Sequence, residues 1–334
     1  MTGPTQTILP RWRGFNLLDF FTVKSTGEMS EDDFRWIADW GFDFVRLPMC
    51  YTLWIEDDDP LKPHEPMLAK IDRAVDLGAK YGLHVNLNFH RAPGYSVNPE
   101  RKEPFDLWKD RAALDAFCFH WQLFADRYRS IPSTRLSFNL VNEPQNPSPL
   151  MSRQDHERVI RATVDAIRSL DPDRLIIVDG LTWANDPLPE LADLNVAQSC
   201  RAYLPMGVSH YKASWVAGAD KYPVPAWPGG WNFPGVLWTR ATLEKHYGQW
   251  ANLAAKGVGV HCGEGGAHCH TPHEVFLAWL RDVLEVLTTF NIGYALWNFR
   301  GSFGILDSQR ADVAYEDWHG HRLDTKLLEL LQEF

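Results

Sequence analysis

A short apolar run leads into a carboxylate in the stretch Leu136-Ser-Phe-Asn-Leu-Val-Asn142-Glu143-Pro144. A second apolar run does the same in Gly257-Val-Gly-Val-His-Cys-Gly-Glu264-Gly-Gly. Runs of this length and composition are typical of strands that are buried on both faces of a parallel sheet. If the two runs are neighbouring parallel strands, their carboxyl ends bring Glu143 and Glu264 to one edge of the sheet.

Similar apolar runs alternate with amphipathic stretches along the rest of the chain, and no Ser/Gly linker interrupts them. The strands are predicted at 12–17, 42–47, 84–89, 135–141, 175–178, 196–200, 257–261 and 294–297. The helices are predicted at 30–40, 66–81, 110–129, 152–170, near 187–191, and at 239–256, 272–290 and 323–331. The 203–238 segment, rich in Pro, Gly and aromatic residues, is predicted to be a long loop with little regular structure.

Eight strands that alternate with about eight helices predict an α/β fold with a parallel sheet, specifically a (β/α)8 TIM barrel. One such barrel accounts for the whole chain, so residues 1–334 are predicted to form a single catalytic domain. A doubly wound open sheet is the alternative. It is disfavoured because no Gly-x-Gly-x-x-Gly turn follows the first strand, and because polar residues follow many strands rather than one switch point.

Polar side chains end almost every predicted strand, where a barrel gathers its chemistry. They are Asn16, Arg46, His90, Arg91, Asn142, Glu143, Arg201, Tyr203, His210, Glu264 and Trp297. Singly, each has an ordinary structural explanation. Together they surround two carboxylates, and a facing pair of carboxylates is what glycosidic bond cleavage requires.

Five segments, in order along nearly the whole chain, resemble glycoside hydrolase family 5. Asn142-Glu143-Pro144 resembles its general acid/base motif, and Glu264 within Gly-Glu-Gly-Gly resembles its nucleophile, although the residue after that Glu is more often Phe. The other three segments contain Arg46, His90 with Arg91, and the sugar-stacking Trp297. The resemblance implies a barrel with the acid/base on strand four, the nucleophile on strand seven and a retaining mechanism. It also implies that Asn142 holds the 2-hydroxyl of the sugar.

The segment after the sixth strand departs from the family, which commonly has His-x-Tyr there. The best match is Arg201-Ala-Tyr203, so the Tyr is retained and the His is replaced by Arg. A second segment, Val208-Ser-His210-Tyr-Lys-Ala-Ser-Trp215, resembles a Thr-His pair followed by Trp. Either His210 or Arg201 is therefore the candidate for this part of the sugar site, with Trp215 as a stacking residue.

The expected substrate is a β-linked glucan or mannan, as a polysaccharide or an oligosaccharide. Glu264 would attack the anomeric carbon while Glu143 protonates the leaving oxygen, and the pair predicts a bell-shaped dependence of activity on pH. Flat indole faces suit sugar rings, and the chain has 15 Trp. The loops 203–238 and 92–108 could close one end of the cleft, so exo action on short oligosaccharides is an alternative.

Two features of the sequence bear on other classes of function, namely a segment rich in His and Cys and the presence of both carboxylates. Six potential metal ligands lie within a short segment, and such a segment suggests an alternative function, that of a zinc-dependent hydrolase with Glu264 as base. They are His261, Cys262, His268, Cys269, His270 and His273. Their spacing matches no zinc signature, so no metal ligand and no cofactor are predicted. A sugar-binding protein that lost catalysis is disfavoured because both carboxylates and Asn142 are present.

The composition limits which classes of binding partner and which cellular compartment are expected. The net charge is −10 and the chain has no Lys/Arg-rich run, which argues against nucleic acid and anionic membrane as partners. Five scattered cysteines favour reduced thiols over a disulfide framework. The start, Met-Thr-Gly-Pro-Thr-Gln, lacks the features of a signal peptide, so a cytoplasmic protein is expected, or a secreted one if a leader was removed. The sequence does not specify the oligomeric state.

Overall fold

A computed structural model describes residues 8–334. Its first elements in chain order are β1 (Arg13–Asn16), α1 (Glu31–Asp39), β2 (Phe44–Cys50), β3 (Ile55–Glu56), β4 (Asp59–Pro63), α2 (Glu65–Tyr81), β5 (His84–Ala92), β6 (Tyr95–Ser96), α3 (Arg111–Arg127), β7 (Leu136–Asn139), α4 (Arg153–Arg168) and β8 (Leu175–Asp179). They are followed by α5 (Leu181–Ala184), β9 (Ala197–Ala202), α6 (Met206–Ser209), β10 (Gly230–Asn232), β11 (Val236–Trp238), α7 (Arg240–Ala254), β12 (Val260–Gly265), α8 (His273–Thr289), β13 (Gly293–Leu296), β14 (Glu316–Trp318), β15 (His321–Leu323) and α9 (Thr325–Gln332).

The main sheet closes into a barrel. Its strands run in the order β2-β1-β13-β12-β9-β8-β7-β5, and β5 pairs back onto β2. The pairing of β2 with β5, of β5 with β7 and of β7 with β8 is parallel. The short strand β6 extends β5 as an antiparallel neighbour. The predicted (β/α)8 class is thus confirmed, and the open doubly wound sheet is wrong.

Each predicted strand corresponds to one barrel strand, but the seventh lies further along the chain than predicted. Strand β12 covers Val260–Gly265 rather than 257–261, so Glu264 lies inside the strand instead of after it. The hairpins β3–β4, β10–β11 and β14–β15 fall in segments where no strand was predicted. The predicted helix near 187–191 is a 3₁₀ turn at Pro189–Leu194.

Local sequence signals mark several helix ends. Ser152 begins α4 with a capping box, in which its hydroxyl accepts from the Asp155 amide and the Asp155 carboxylate accepts from the Ser152 amide. Asp324 caps α9 by accepting from the Leu327 amide. Helix α2 ends at Gly82, whose φ of 71° is the left-handed conformation that favours glycine. Ser152 and Asp324 thus fix where α4 and α9 begin, and Gly82 fixes where α2 ends before β5.

Contacts between Cα atoms divide the chain into two compact units. Among the described residues, the first unit comprises 8–10, Leu17–Cys200 and Leu253–Val260, and the second comprises Arg11–Asn16, Arg201–Asn252 and His261–Phe334. The proposal of one catalytic domain over 1–334 therefore stays a prediction. Among the described helices, none is long and apolar enough to cross a membrane.

Many of the tryptophans serve as core residues. Trp54 and Trp121 are fully buried in the first unit, where Trp121 stacks on Phe89 at 4.0 Å between ring centroids. Trp250 and Trp279 are fully buried in the second. Trp215, in contrast, is 50% exposed. The high tryptophan content therefore reflects a large aromatic core, to which the exposed Trp215 does not contribute.

Candidate active site

In the first unit, a buried network surrounds Arg46 on β2. The Arg46 guanidinium donates to Asn139 Oδ1 at 3.0 Å and to Asn142 Oδ1 at 2.8 Å. Asn139, on β7, also accepts from the Asn88 amide at 3.0 Å. Arg46 is only 1% exposed, so these charge-assisted bonds form away from bulk water. They fix which end of the Asn142 amide faces Arg46.

The backbone of Glu143 is held on both sides. Its N–H donates to Asp179 Oδ2 at 2.9 Å, and its carbonyl accepts from the Tyr95 hydroxyl at 2.8 Å. Its φ is +47°, a left-handed conformation that a residue with a side chain adopts only when the surroundings impose it. The two hydrogen bonds provide that constraint, so they fix the backbone from which the Glu143 side chain projects.

His90 and Arg91 follow one another on β5 and contact the same loop. His90 is buried, and its ring lies 4.6 Å from that of Phe21 in an edge-on arrangement. The Arg91 guanidinium lies over the same Phe21 ring, donates to the Phe21 carbonyl and pairs with Glu100 at 2.9 Å. Burial lowers the pKa of the Arg91 guanidinium. These contacts show Arg91 joining two loops, and a role for it in substrate binding stays a prediction.

In the second unit, Glu264 on β12 is 3% exposed and has a donor at each carboxylate oxygen. Arg201 Nη2 lies 3.3 Å from Oε1, and the Tyr203 hydroxyl donates to Oε2 at 3.0 Å. Both donors come from the end of β9 or just after it. Arg201, which replaces the histidine common in the resembling family, thus supplies a positive charge beside the carboxylate. The two contacts hold both oxygens of the carboxylate in defined positions.

Gly265, directly after Glu264, is required by close packing between β12 and β9. A Cβ at this position would lie 2.7 Å from the Ala202 Cβ and 3.0 Å from the Ala202 carbonyl oxygen. Both atoms belong to a strand and cannot move aside easily. This explains why glycine stands here instead of the Phe that is more common in the resembling family.

Replacing Gly265 with alanine is expected to lower the free energy of unfolding by about 1–3 kcal/mol, because the added methyl overpacks a strand contact. Gly248→Ala is the matched control, since Gly248 lies in α7 and has open space where a Cβ would be added. Alanine is favoured over glycine in a helix, so this control should not destabilise the protein. Denaturant unfolding measures both variants. Equal stability of the two would contradict the packing account.

Two further predicted residues lie near the ends of neighbouring strands in the second unit. The Asn16 amide donates to the Gly263 carbonyl at 3.0 Å and to the Leu296 carbonyl at 3.3 Å. The Trp297 amide donates to the Gly265 carbonyl at 2.7 Å, and its side chain is partly exposed. Asn16 therefore joins three strands, whereas Trp297 is only partly buried.

An aromatic cluster continues from Tyr203 to the exposed Trp215. The His210 ring lies 5.1 Å from that of Tyr203 and 5.6 Å from that of Phe303, both edge-on. Trp215 lies 6.1 Å from Phe303 and 5.2 Å from His268. Desolvation, with a smaller effect of the nearby His268 ring, lowers the pKa of His210 to about 3, so this ring is neutral at neutral pH. His210 therefore contributes a neutral ring to this cluster.

The six histidines and cysteines of the 261–273 segment do not converge on one point. His261 packs edge-on against Trp12 at 6.2 Å, and the Cys262 thiol donates to the Glu264 carbonyl at 3.3 Å. His273 pairs with Asp324 at 2.9 Å. The potential ligand atoms of the other three, His268, Cys269 and His270, all lie within 4.8 Å of one another. A six-ligand site with Glu264 as base is therefore not formed.

Sequence reasoning missed Asp179 and Phe303. Asp179 ends β8 and is fully buried, and its second oxygen accepts from the Asn139 amide at 2.9 Å. Applying the strand-end rule to the fifth predicted strand would have found Asp179, because it is the first polar residue after the 175–178 run. Phe303 lies in a loop after β13, and no local pattern distinguishes it from other core aromatics.

Asp179→Asn is expected to lower kcat about tenfold or more, because one of two hydrogen bonds that position Glu143 and Asn139 is lost. The loss should fall in kcat with KM little changed, because the substitution alters how the Glu143 backbone is held. Loss of fold alone would lower the amount of active protein and leave kcat per active molecule unchanged. Asp173→Asn, an exposed position just before the same strand, is the control. A wild-type kcat in Asp179→Asn would contradict the positioning role of Asp179.

A closed (β/α)8 barrel is a fold that many classes of enzyme share, so the comparisons with known proteins decide the class. The chain belongs to the cellulase family, glycosyl hydrolase family 5, because the sequence model of that family matches residues 3–302. A solved structure described as a glycoside hydrolase is 39% identical, with a TM-score of 0.92 over 97% of this chain and 99% of that one.

Two curated relatives have more specific names. Endoglucanase C of Acetivibrio thermocellus is 27% identical over 86% of this chain and 89% of its own length. Cellodextrinase A of Ruminococcus flavefaciens is 25% identical over 82% of this chain and 79% of its own length. The family confirms the predicted enzyme class, an O-glycosyl hydrolase of the cellulase type.

Proposed function

We propose that the protein hydrolyses β-linked glucans or their oligosaccharides with retention of anomeric configuration, with Glu264 as nucleophile and Glu143 as general acid/base. One observation carries the assignment of Glu264. One of its oxygens accepts from the Tyr203 hydroxyl and the other lies beside the Arg201 guanidinium, so the carboxylate is fixed in direction, as an attacking group must be. Glu143, with its backbone clamped by Asp179 and Tyr95, is the partner acid.

The reaction proceeds in two displacements. A Glu264 oxygen attacks the anomeric carbon, the bond from that carbon to the leaving oxygen breaks, and Glu143 transfers its proton to that oxygen. Water then attacks the glycosyl-enzyme, Glu143 takes a proton from this water, and the Glu264 carboxylate is released. Two inversions at one carbon give net retention. Atoms and charge balance without a metal or an organic cofactor.

The remaining predicted residues are assigned to sugar binding. Asn142, oriented by Arg46, would hold the 2-hydroxyl. His90 on β5 and Asn16 on β1 would line the site. Trp297 and Trp215 would stack on sugar rings through their accessible faces. Arg201 and Tyr203 contact the nucleophile, whereas His210 supports Tyr203 through ring packing. Arg91 would act through the loops that it joins.

Soluble β-glucan and cello-oligosaccharides are the proposed substrates. The names of the relatives, an endoglucanase and a cellodextrinase, support a glucan over other polymers. The test is hydrolysis of aryl β-cellobioside, cello-oligosaccharides, soluble β-glucan and β-mannan, with the first-formed anomer identified by proton NMR. The β-anomer should appear first on the glucan substrates. An α-anomer as the first product, or turnover of none of them, would contradict the proposal.

An exo mode on short oligosaccharides is the second candidate. It is favoured by the 203–238 segment, in which the β10–β11 hairpin carries the exposed side chains Phe233, Val236 and Leu237. Such a hairpin could wall one end of the cleft. Product analysis distinguishes the modes, because endo cleavage lowers polymer viscosity early, whereas exo cleavage releases one short product from the start.

A further inference from the structure

Three potential metal ligands lie on one tight turn in the second unit. The turn runs from His268 to Thr271, where the Thr271 amide donates to the His268 carbonyl at 2.9 Å. The Nδ1 atoms of His268 and His270 are 3.1 Å apart, and Cys269 Sγ is 3.9 Å from His268 Nε2. We call residues 268–270 the His-Cys-His turn.

These separations suit a soft or borderline metal ion. Zn–N bonds of about 2.0–2.1 Å and Zn–S bonds of about 2.3 Å place ligand atoms roughly 3.3–3.6 Å apart in a tetrahedral site. One ligand atom from each of the three residues lies within 4.8 Å of the other two, so the set is close to this spacing before any ion gathers it. Imidazole and thiolate together favour Zn²⁺ or Cu⁺ over Mg²⁺ or Ca²⁺.

The backbone of the turn is held rigidly in place. The Arg310 guanidinium donates to the carbonyls of Ala267, His268 and Thr271. The His268 amide donates to the Ser209 carbonyl at 2.8 Å, and the Thr271 hydroxyl donates to the Val208 carbonyl at 2.6 Å. A fixed backbone reduces the entropy lost when the ligands are gathered around an ion.

The state of the side chains also favours binding. His268 is buried, and its two neighbours along the turn are more accessible. His270 is exposed and Cys269 is half-buried, so an ion can reach the turn from solvent. Binding would require the Cys269 thiol to lose its proton, as in other Cys-containing sites.

We propose that the His-Cys-His turn binds one soft or borderline transition-metal ion, of which Zn²⁺ is the probe, with a solvent molecule completing the coordination. The site is separate from the hydrolytic chemistry, which uses no metal. It is nevertheless coupled to that chemistry through packing, because the His268 ring lies 5.6 Å from Phe303, and Phe303 lies 6.1 Å from Tyr203, the donor to Glu264. An ion that rotates the His268 ring would disturb this cluster and lower turnover.

The test is calorimetric titration of the full, chelator-treated chain with Zn²⁺ at neutral pH. One ion should bind per chain, and Cys269→Ser and His270→Ala should each weaken binding at least about tenfold. Cys118→Ser is the matched control, since Cys118 is also half-buried but lies on α3 in the first unit, and it should bind like the wild type. The absence of saturable binding, or wild-type affinity in both turn variants, would overturn the proposal.

A second readout measures the coupling to hydrolysis, and this arm alone rests on the proposed function. Zn²⁺ should inhibit turnover of aryl β-cellobioside by the wild type and by Cys118→Ser, and should inhibit Cys269→Ser much less. Cys269→Ser should match the wild type when Zn²⁺ is absent. Equal inhibition of all three would overturn the coupling, whereas a protein that binds Zn²⁺ but hydrolyses no substrate would refute only the proposed function.

Discussion

Replacing Glu264 with glutamine is expected to lower kcat/KM on aryl β-cellobioside by about 10⁴-fold or more, because removal of a covalent nucleophile leaves only binding and electrostatic contributions. Glutamine has nearly the same shape, and its carbonyl oxygen can still accept from Tyr203. Its amide nitrogen, however, is not a competent nucleophile. Steady-state kinetics with an activated aryl glycoside measure the loss.

Glu274→Gln is the matched control for this variant. Glu274 lies ten positions further on, exposed in the first turn of α8, and its replacement should leave kcat/KM within about twofold of the wild type. Binding of cellobiose should persist in Glu264→Gln, which separates loss of chemistry from loss of fold. Retention of more than a tenth of wild-type activity by Glu264→Gln would remove Glu264 from the nucleophile role.

Replacing Glu143 with glutamine is expected to lower kcat by about 10²–10⁴-fold on cello-oligosaccharides, whose leaving oxygen must be protonated. The rate of the first displacement should fall much less for a substrate with a dinitrophenyl leaving group, because this group departs without a proton. The second displacement should then limit turnover, since no base activates water. Added azide, which needs no base, should accelerate this step and yield the β-glycosyl azide.

Glu316→Gln, at an exposed position on β14, is the control for Glu143→Gln and should show neither the loss nor the azide effect. Pre-steady-state and steady-state rates for the two leaving groups give the comparison. The same loss for both leaving groups, with no azide product, would mean that Glu143 does not transfer the proton.

The barrel could be predicted from the sequence because each of its strands is buried on both faces and therefore appears as a short apolar run. The run 84–89 begins at the first residue of β5, which continues to Ala92. The run 175–178 begins at the first residue of β8, which ends at Asp179. The prediction begins β12 three residues too early and ends it four residues too early, because Gly263 and Gly265 weaken the strand pattern around Glu264. The hairpins were missed because their strands are short and lie in polar or Pro-rich segments.

Contacts made by residues far apart in the chain could not be predicted in the same way. The sequence alone does not indicate that Arg46 donates to Asn139 and Asn142, or that Arg201 pairs with Glu264. No local pattern specifies that Asp179 accepts from the Glu143 amide, or that Glu143 has a positive φ. These features follow from strand register and loop packing, which depend on the whole fold.

The most direct test of the account is mass-spectrometric mapping of the protein after incubation with a dinitrophenyl 2-deoxy-2-fluoro-β-cellobioside. The fluorine slows both displacements, and the good leaving group restores the first, so the glycosyl-enzyme accumulates. The account predicts one cellobiosyl label per chain, on the peptide that contains Glu264 and attached to that carboxylate. A label on another residue, or no label from an enzyme that hydrolyses the unfluorinated substrate, would contradict the account.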